Sequence, residues 1–194
     1  MRKSIRELLE TIILTLLVFL MLQFSIQNYV VDGPSMKPTL EDGEYVLVNK
    51  LGYLNFEPQN IDKLNPFYTP KNDSVLFPFD PPKRGEILVF YYPRDVSRKF
   101  VKRIIGIPGE TVEIKHGEVF INGKKIEEPY VYNQSSSNHP PITIPTDKYF
   151  VLGDNRKISN DSRDFGLVPT ENVVGKAWFK FWPINKWQIL NISI

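Results

Sequence analysis

Three polar groups in this chain stand where chemistry could be done. The first is Ser35, in the stretch Val31-Asp32-Gly33-Pro34-Ser35-Met36-Lys37-Pro38. A serine hydroxyl is a weak nucleophile until a base takes its proton. Gly33 and Pro34 define a tight turn that would hold the hydroxyl in place, and Pro38 restricts the chain again beyond it. A serine in such a turn is ordinarily a turn residue, so a nucleophile needs a base to be found elsewhere. His116 lies in what reads as a hairpin turn, and His139 in a polar loop. Neither has the buried, oriented setting of a triad histidine. Lys102 is the second group. In the strand-like run Lys99 to Gly106, alternation puts Phe100, Lys102 and Ile104 on one face and Val101, Arg103 and Ile105 on the other. Apolar neighbours would desolvate the Lys102 ammonium and lower its pKa. Service as a base at neutral pH asks for a fall from ~10.4 to about 7, roughly 4 kcal/mol of disfavoured charge. The plain alternative is a lysine on a half-exposed strand. The third group is the loop Leu152 to Gly166, which gathers Asp154, Asn155, Arg156, Asp161, Arg163 and Asp164. It lacks the D-x-[DN]-x-[DN]-G ladder of a calcium loop, which leaves a solvated polar turn as its ordinary reading.

Composition narrows the field. The 194 residues suffice for one domain with a sizeable core and an anchor. Net charge is +2, with no stripe of Lys/Arg and interleaved aromatics, which argues against a nucleic-acid partner. There is no cysteine, so disulfides, thiolate metal sites and a cysteine nucleophile are excluded. Two histidines cannot make a three-His metal site. No metal or cofactor is expected.

The elements that must position these groups begin with an apolar run. Thr11 to Val31 carries no ionisable side chain, and ~20 helical residues span a bilayer core. Its second half is softened by Gln23, Ser25, Gln27 and Asn28, so the span could start somewhat before Thr11. Arg2, Lys3 and Arg6 precede it, which predicts an N-terminus inside and the rest of the chain outside. A cleavable signal peptide is the rival, but no A-x-A cleavage site follows the run; a buried core helix is a further alternative. Residues 1–31 are thus expected to be a short cytoplasmic tail and anchor, and 32–194 a separate domain. That domain reads as short apolar runs punctuated by Gly, Pro and Asn, which predicts strands and turns. Asn122-Gly123 fits a type I′ hairpin turn, which needs positive φ at both central residues. Without βα alternation, the expected fold is mainly β, a sandwich or barrel-like domain. Leu51 to Pro82 and Glu127 to Pro145 read as excursions from it. Trp178, Trp182 and Trp187 with Lys180 and Lys186 would suit a lipid headgroup interface, or else pack as a strand pair.

Together, Gly33 to Leu40 (GPSMKPTL), Gly43 to Lys50 (GEYVLVNK), Arg84 to Phe90 (RGEILVF), Phe100 to Glu110 (FVKRIIGIPGE) and Gly153 to Gly166 (GDNRKISNDSRDFG) resemble the bacterial type I signal peptidases. These are membrane-bound Ser-Lys endopeptidases that remove signal peptides from exported preproteins. The motifs stand in the family's order after an anchor, and both excursions lie outside the match. The resemblance implies Ser35 as nucleophile, Lys102 as a neutral general base, and Ser159 hydrogen-bonded to Lys102 to orient it. Asp161 and Arg163 would form a structural ion pair, and Gly153 and Asp154 would shape the backbone nearby. Tyr29, Val31, Met36, Leu40, Phe100 and Val101 would line two shallow pockets that select Ala-x-Ala sites. The implied partners are preproteins and the lipid bilayer, and the implied place is the bacterial cytoplasmic membrane, as a single-pass monomer. One departure is at Gly33, where some members carry a serine that donates to the oxyanion; Pro34 has no N–H either. Two other readings compete: a related Ser-Lys peptidase with a different task, such as a conjugation-protein processor or an autoproteolytic repressor, and a tethered β domain that binds a partner without catalysis.

Overall fold

The computed structural model describes residues 2–50 and 81–190, without the side chains of residues 2–4, 21, 22 and 24. Most of the Leu51 to Pro82 excursion lies outside the described residues. A helix, α1 (Arg2–Ser25), opens the chain. Leu8, Leu9, Ile12, Ile13, Leu14, Leu16, Leu17, Val18 and Phe19 are all exposed around it, so no core formed by the described residues covers this helix. Among the described residues, no helix is long and apolar enough to cross a membrane. The expected run to Val31 also ends early. Ile26–Val30 is a strand, β1, antiparallel to β2 (Tyr45–Asn49), with Ile26 opposite Asn49 and Val30 opposite Tyr45. Apolar content alone could not separate the two, because β-branched and aromatic residues serve a strand as well as a helix.

The rest is mainly β. In chain order come β3 (Ile87–Tyr92), β4 (Asp95–Gly106), β5 (Thr111–Lys115), β6 (Glu118–Ile121), β7 (Lys124–Lys125), β8 (His139–Thr143), β9 (Lys148–Leu152), α2 (Ser162–Phe165), β10 (Val168–Pro169), β11 (Val173–Trp182) and β12 (Gln188–Ile189). The large sheet runs β1-β2-β11-β3-β4-β9-β10, with β12 beside β11; a smaller one runs β7-β6-β5-β8. Alternation explains the layering. On β3, Ile87 and Val89 enter one core with Val31, Met36 and Leu40, while Leu88 and Phe90 enter a second with Ile104 and Val151. On β9, Phe150 and Leu152 join Ile105, Val112 and Ile121 in a third core beneath the small sheet. A strand buried on both faces reads as an unbroken apolar run, as β3 does. Asn122 and Gly123 have φ of 51° and 77° and close a two-residue hairpin between β6 and β7. Part of the second excursion is β8, paired with β5. His139 is therefore a strand residue, its ring edge-on to Phe150, and not a loop residue.

Candidate active site

Two elements far apart in sequence meet at Ser35. The turn after β1 is built on Gly33, whose φ of 87° favours glycine and whose N–H donates to Asp42 Oδ1. Lys37 N–H donates back to Pro34 O at 3.2 Å. Met36 and Leu40 drop wholly buried into the first core, and pin the turn. Neither is among the residues that line the cleft above it, where the resemblance implies them. Ser35 is left half-buried on top. β4 supplies Lys102, whose Nζ donates to Ser35 Oγ at 2.8 Å and to Val101 O at 2.9 Å.

Lys102 is 4% exposed, lies 5.3 Å from the Phe100 ring centroid and has no carboxylate at ion-pair distance among the described residues. Burial lowers its pKa to about 8, against the opposing pull of the Asp161 and Asp154 charges. A second buried lysine, Lys180, makes the contrast: it is ion-paired to Glu44 at 3.1 Å. Of the buried lysines, Lys102 is the one placed to take a proton from Ser35.

A scaffold of buried charge holds the two elements together. Arg103, beside Lys102 but on the opposite face of β4, is 1% exposed. It grips Asp154 with Nε at 2.8 Å and Nη2 at 2.7 Å, donates to Gly85 O at 2.8 Å and stacks on Tyr130. Asp154 also accepts from Thr39 Oγ1 at 2.5 Å, which ties the nucleophile turn to the loop after β9. Arg156 pairs with Glu128 of the second excursion and donates to Gly153 O. Arg163 holds Asp161 through Nε and Nη2, both at 2.8 Å. Asp161 in turn accepts from Gly153 N–H and caps α2 in a capping box. Gly153 has no room for a side chain, because a Cβ would overlap both Ser159 Oγ and Ser35 O. Ser159 is thus brought to the site, but its Oγ is buried without a hydrogen-bond partner and does not bond Lys102 as the resemblance implies; the amine spends its bonds on Ser35 and Val101.

Above the dyad lies a cleft of about 440 Å³, lined by Tyr29, Val31, Phe100 and Val101. Val46, Val89, Ile158 and the cations Arg98 and Lys99 also line it and were not expected. His116 and His139 are not part of it. Arg103, Thr39 and Glu128 are likewise site residues that the sequence reading missed, and Asn155 was read only as part of a polar loop. For Arg103 a signal existed: Val101 and Ile105 flank it on its face of the strand, and a buried arginine demands a carboxylate. Among the described residues no cluster of His, Asp and Glu could hold a metal ion.

The chain matches the signal peptidase, peptidase S26 family over residues 5–182, and it belongs to that family. Signal peptidase IB of Staphylococcus aureus is 36% identical over 205 residues, covering 94% of each chain. A probable signal peptidase I-1 of Synechocystis is 32% identical over 184 residues, covering 94% of this chain and 85% of the relative. Among solved structures, a signal peptidase I of Enterococcus faecalis is 36% identical and covers 50% of this chain and 97% of its own, with a TM-score of 0.45. The protein is a serine peptidase, a hydrolase.

Proposed function

We propose that this protein removes N-terminal signal peptides from exported preproteins with a Ser35–Lys102 dyad, cutting after a small residue at Ala-x-Ala-type sites while anchored in the membrane by α1. The observation that carries the reading is the 2.8 Å bond between a buried, carboxylate-free Lys102 amine and Ser35 Oγ. Neutral Lys102 takes the Ser35 proton as Oγ attacks the scissile carbonyl. The carbonyl electron pair moves to oxygen, which the Ser35 N–H faces. Collapse breaks the C–N bond, and lysinium protonates the leaving amine. Lys102, neutral again, then deprotonates a water that releases the acyl group from Ser35. Lysinium has three protons, and among the described residues Nζ bonds two partners, Ser35 and Val101; in our reading a rotation of Ser159, whose buried Oγ has no partner, supplies the third acceptor in that charged state.

Substrate enters as an added strand. β9 pairs with β4 only from Arg103 onward, so the Asp95 to Lys102 edge has no strand on that side among the described residues. A peptide there would satisfy those backbone groups and lay alternate side chains on the apolar walls. Walls of Val31, Val46, Val89 and Val101 leave shallow space, which favours alanine by excluding larger side chains.

The exposed apolar surface of α1 supports the anchor. α1 falls short of the ~20 apolar residues of a spanning helix, so the anchor in this reading rests on its exposed apolar side chains and not on its length. Arg2, Lys3 and Arg6 in the first turns of α1 favour an N-terminus in the cytoplasm and the β domain outside, and we read the protein as a monomer in the bacterial cytoplasmic membrane. The test is incubation of the full chain in detergent with a preprotein bearing an Ala-x-Ala site, followed by mass spectrometry of the product. One cut directly after the second Ala is expected. Cuts scattered elsewhere, or none by a folded enzyme, would defeat the reading.

A further inference from the structure

The nucleophile's own peptide plane is held from outside, by a residue to which neither the motif resemblance nor the dyad gives a role. Asn155 is 2% exposed at the start of the loop after β9. Its side-chain Nδ2 donates to Pro34 O at 3.1 Å, and its backbone N–H donates to Ser35 O at 3.0 Å. It thus grips the carbonyls on both sides of Ser35 at once. Asn155 is itself fixed, because Tyr132 N–H donates to Asp154 O and Arg156 N–H to Tyr132 O, a bridge on either side of it.

Pro34 C=O and Ser35 N–H belong to one planar trans peptide unit and point in opposite directions. Fixing the oxygen therefore fixes the direction of the N–H. That N–H makes no hydrogen bond among the described residues. Gly33 N–H is already committed to Asp42, and Pro34 has none. Gly33 has no side chain to donate in its place, so the Ser35 N–H carries more of the oxyanion's charge and its direction matters more.

We propose that Asn155 is a positioning residue for the oxyanion, aiming the Ser35 N–H by holding Pro34 O. This inference rests on the Ser35–Lys102 reading and adds to it a residue that touches neither substrate nor base. Lys37 N–H still holds Pro34 O when Asn155 Nδ2 is removed, so the plane is loosened and not freed. Deleting an oxyanion donor outright costs ~10²–10³ in rate; misdirecting one is expected to cost about tenfold or somewhat more.

The experiment compares the full-length wild type with Asn155→Leu, which keeps the volume, and Asn155→Ala. Each is assayed for cleavage and for binding of two peptides ending in Ala-x-Ala, one an aldehyde and one a carboxamide. Ser35 Oγ adds to the aldehyde carbon, its proton passes to Lys102, and the carbonyl oxygen becomes an oxyanion mimic. The carboxamide reports ground-state binding alone. Both variants are expected to lose about tenfold in kcat and in aldehyde affinity. KM, carboxamide affinity and the pH midpoint of kcat/KM should stay in place. Because the aldehyde-to-carboxamide ratio is taken within each variant on molecules that bind, a loss of stability does not mimic the effect. Equal loss for both peptides, no loss for either, or a moved pH midpoint would overturn the proposal. If wild type itself neither cleaves nor prefers the aldehyde, the dyad reading fails and takes this inference with it.

Discussion

Replacing Phe100 with alanine should move the pH dependence of the enzyme upward. The Phe100 ring lies against Lys102, part of the burial that brings the amine from 10.5 to about 8. That difference is worth about 3 kcal/mol against the charged form. Opening one wall admits water to the ammonium. If it returns about 1.4 kcal/mol, the midpoint moves to a tenfold lower proton concentration, up to about pH 9. At pH 7 the neutral fraction then falls from roughly 10% to roughly 1%, while at pH 10 both proteins are almost wholly neutral. The assay is kcat/KM from pH 6 to 10, which reports the free enzyme, so weaker substrate binding scales the curve without moving it. The cost should also appear in folding. The amine titrates lower in the folded chain than the 10.5 of an unfolded one, so the unfolded state holds more protons between about 8 and 10.5, and stability rises with pH across that window. The stability penalty is complete below about 8 and absent above 10.5. Denaturant titrations at pH 7.5 and 10 would read it, and Lys102→Met should remove it. A wild-type profile that is flat between pH 6 and 9, or a Phe100→Ala midpoint that stays or falls, would refute the assignment of Lys102 as the titrating base.

Three further outcomes follow from the same structure. Replacing His116 and His139 together should leave cleavage nearly unchanged in the preprotein assay, since neither faces the cleft; a large loss would revive a histidine base. Asp154→Ala strands the buried Arg103 guanidinium and should cost about 3–5 kcal/mol in denaturant titration. Removing residues 2–25 should release the β domain from liposomes in a flotation assay and slow cleavage of a membrane-held preprotein far more than that of a short soluble peptide, because the tether raises effective concentration.

Much of this was legible in the residues, but unevenly. Alternation along Phe100, Lys102 and Ile104 marked the lysine as one to be desolvated, and Gly33-Pro34 marked Ser35 as held in a turn. Their meeting was not legible, because 67 residues separate them and only the packing of the turn on the large sheet joins them. The helix boundary was misjudged for a related reason: Ile26–Val30 is apolar enough for a helix, and pairing with Tyr45–Asn49 decides its state. Met36 and Leu40 were assigned to pockets from the resemblance, although their spacing of four fits one face of a turn buried in the core. Arg103 and Asp154 show what the same alternation argument misses when it follows one face only. Asn155 could not have been found that way, since its role lies in where its amide points.

The most direct test of the Ser35–Lys102 dyad is the rate of preprotein cleavage by wild type, Ser35→Ala and Lys102→Ala, with folding of each checked by circular dichroism. The account predicts that both variants fold and that neither cleaves above background at any pH from 7 to 10. A folded Lys102→Ala enzyme that cleaves at or near the wild-type rate would contradict it.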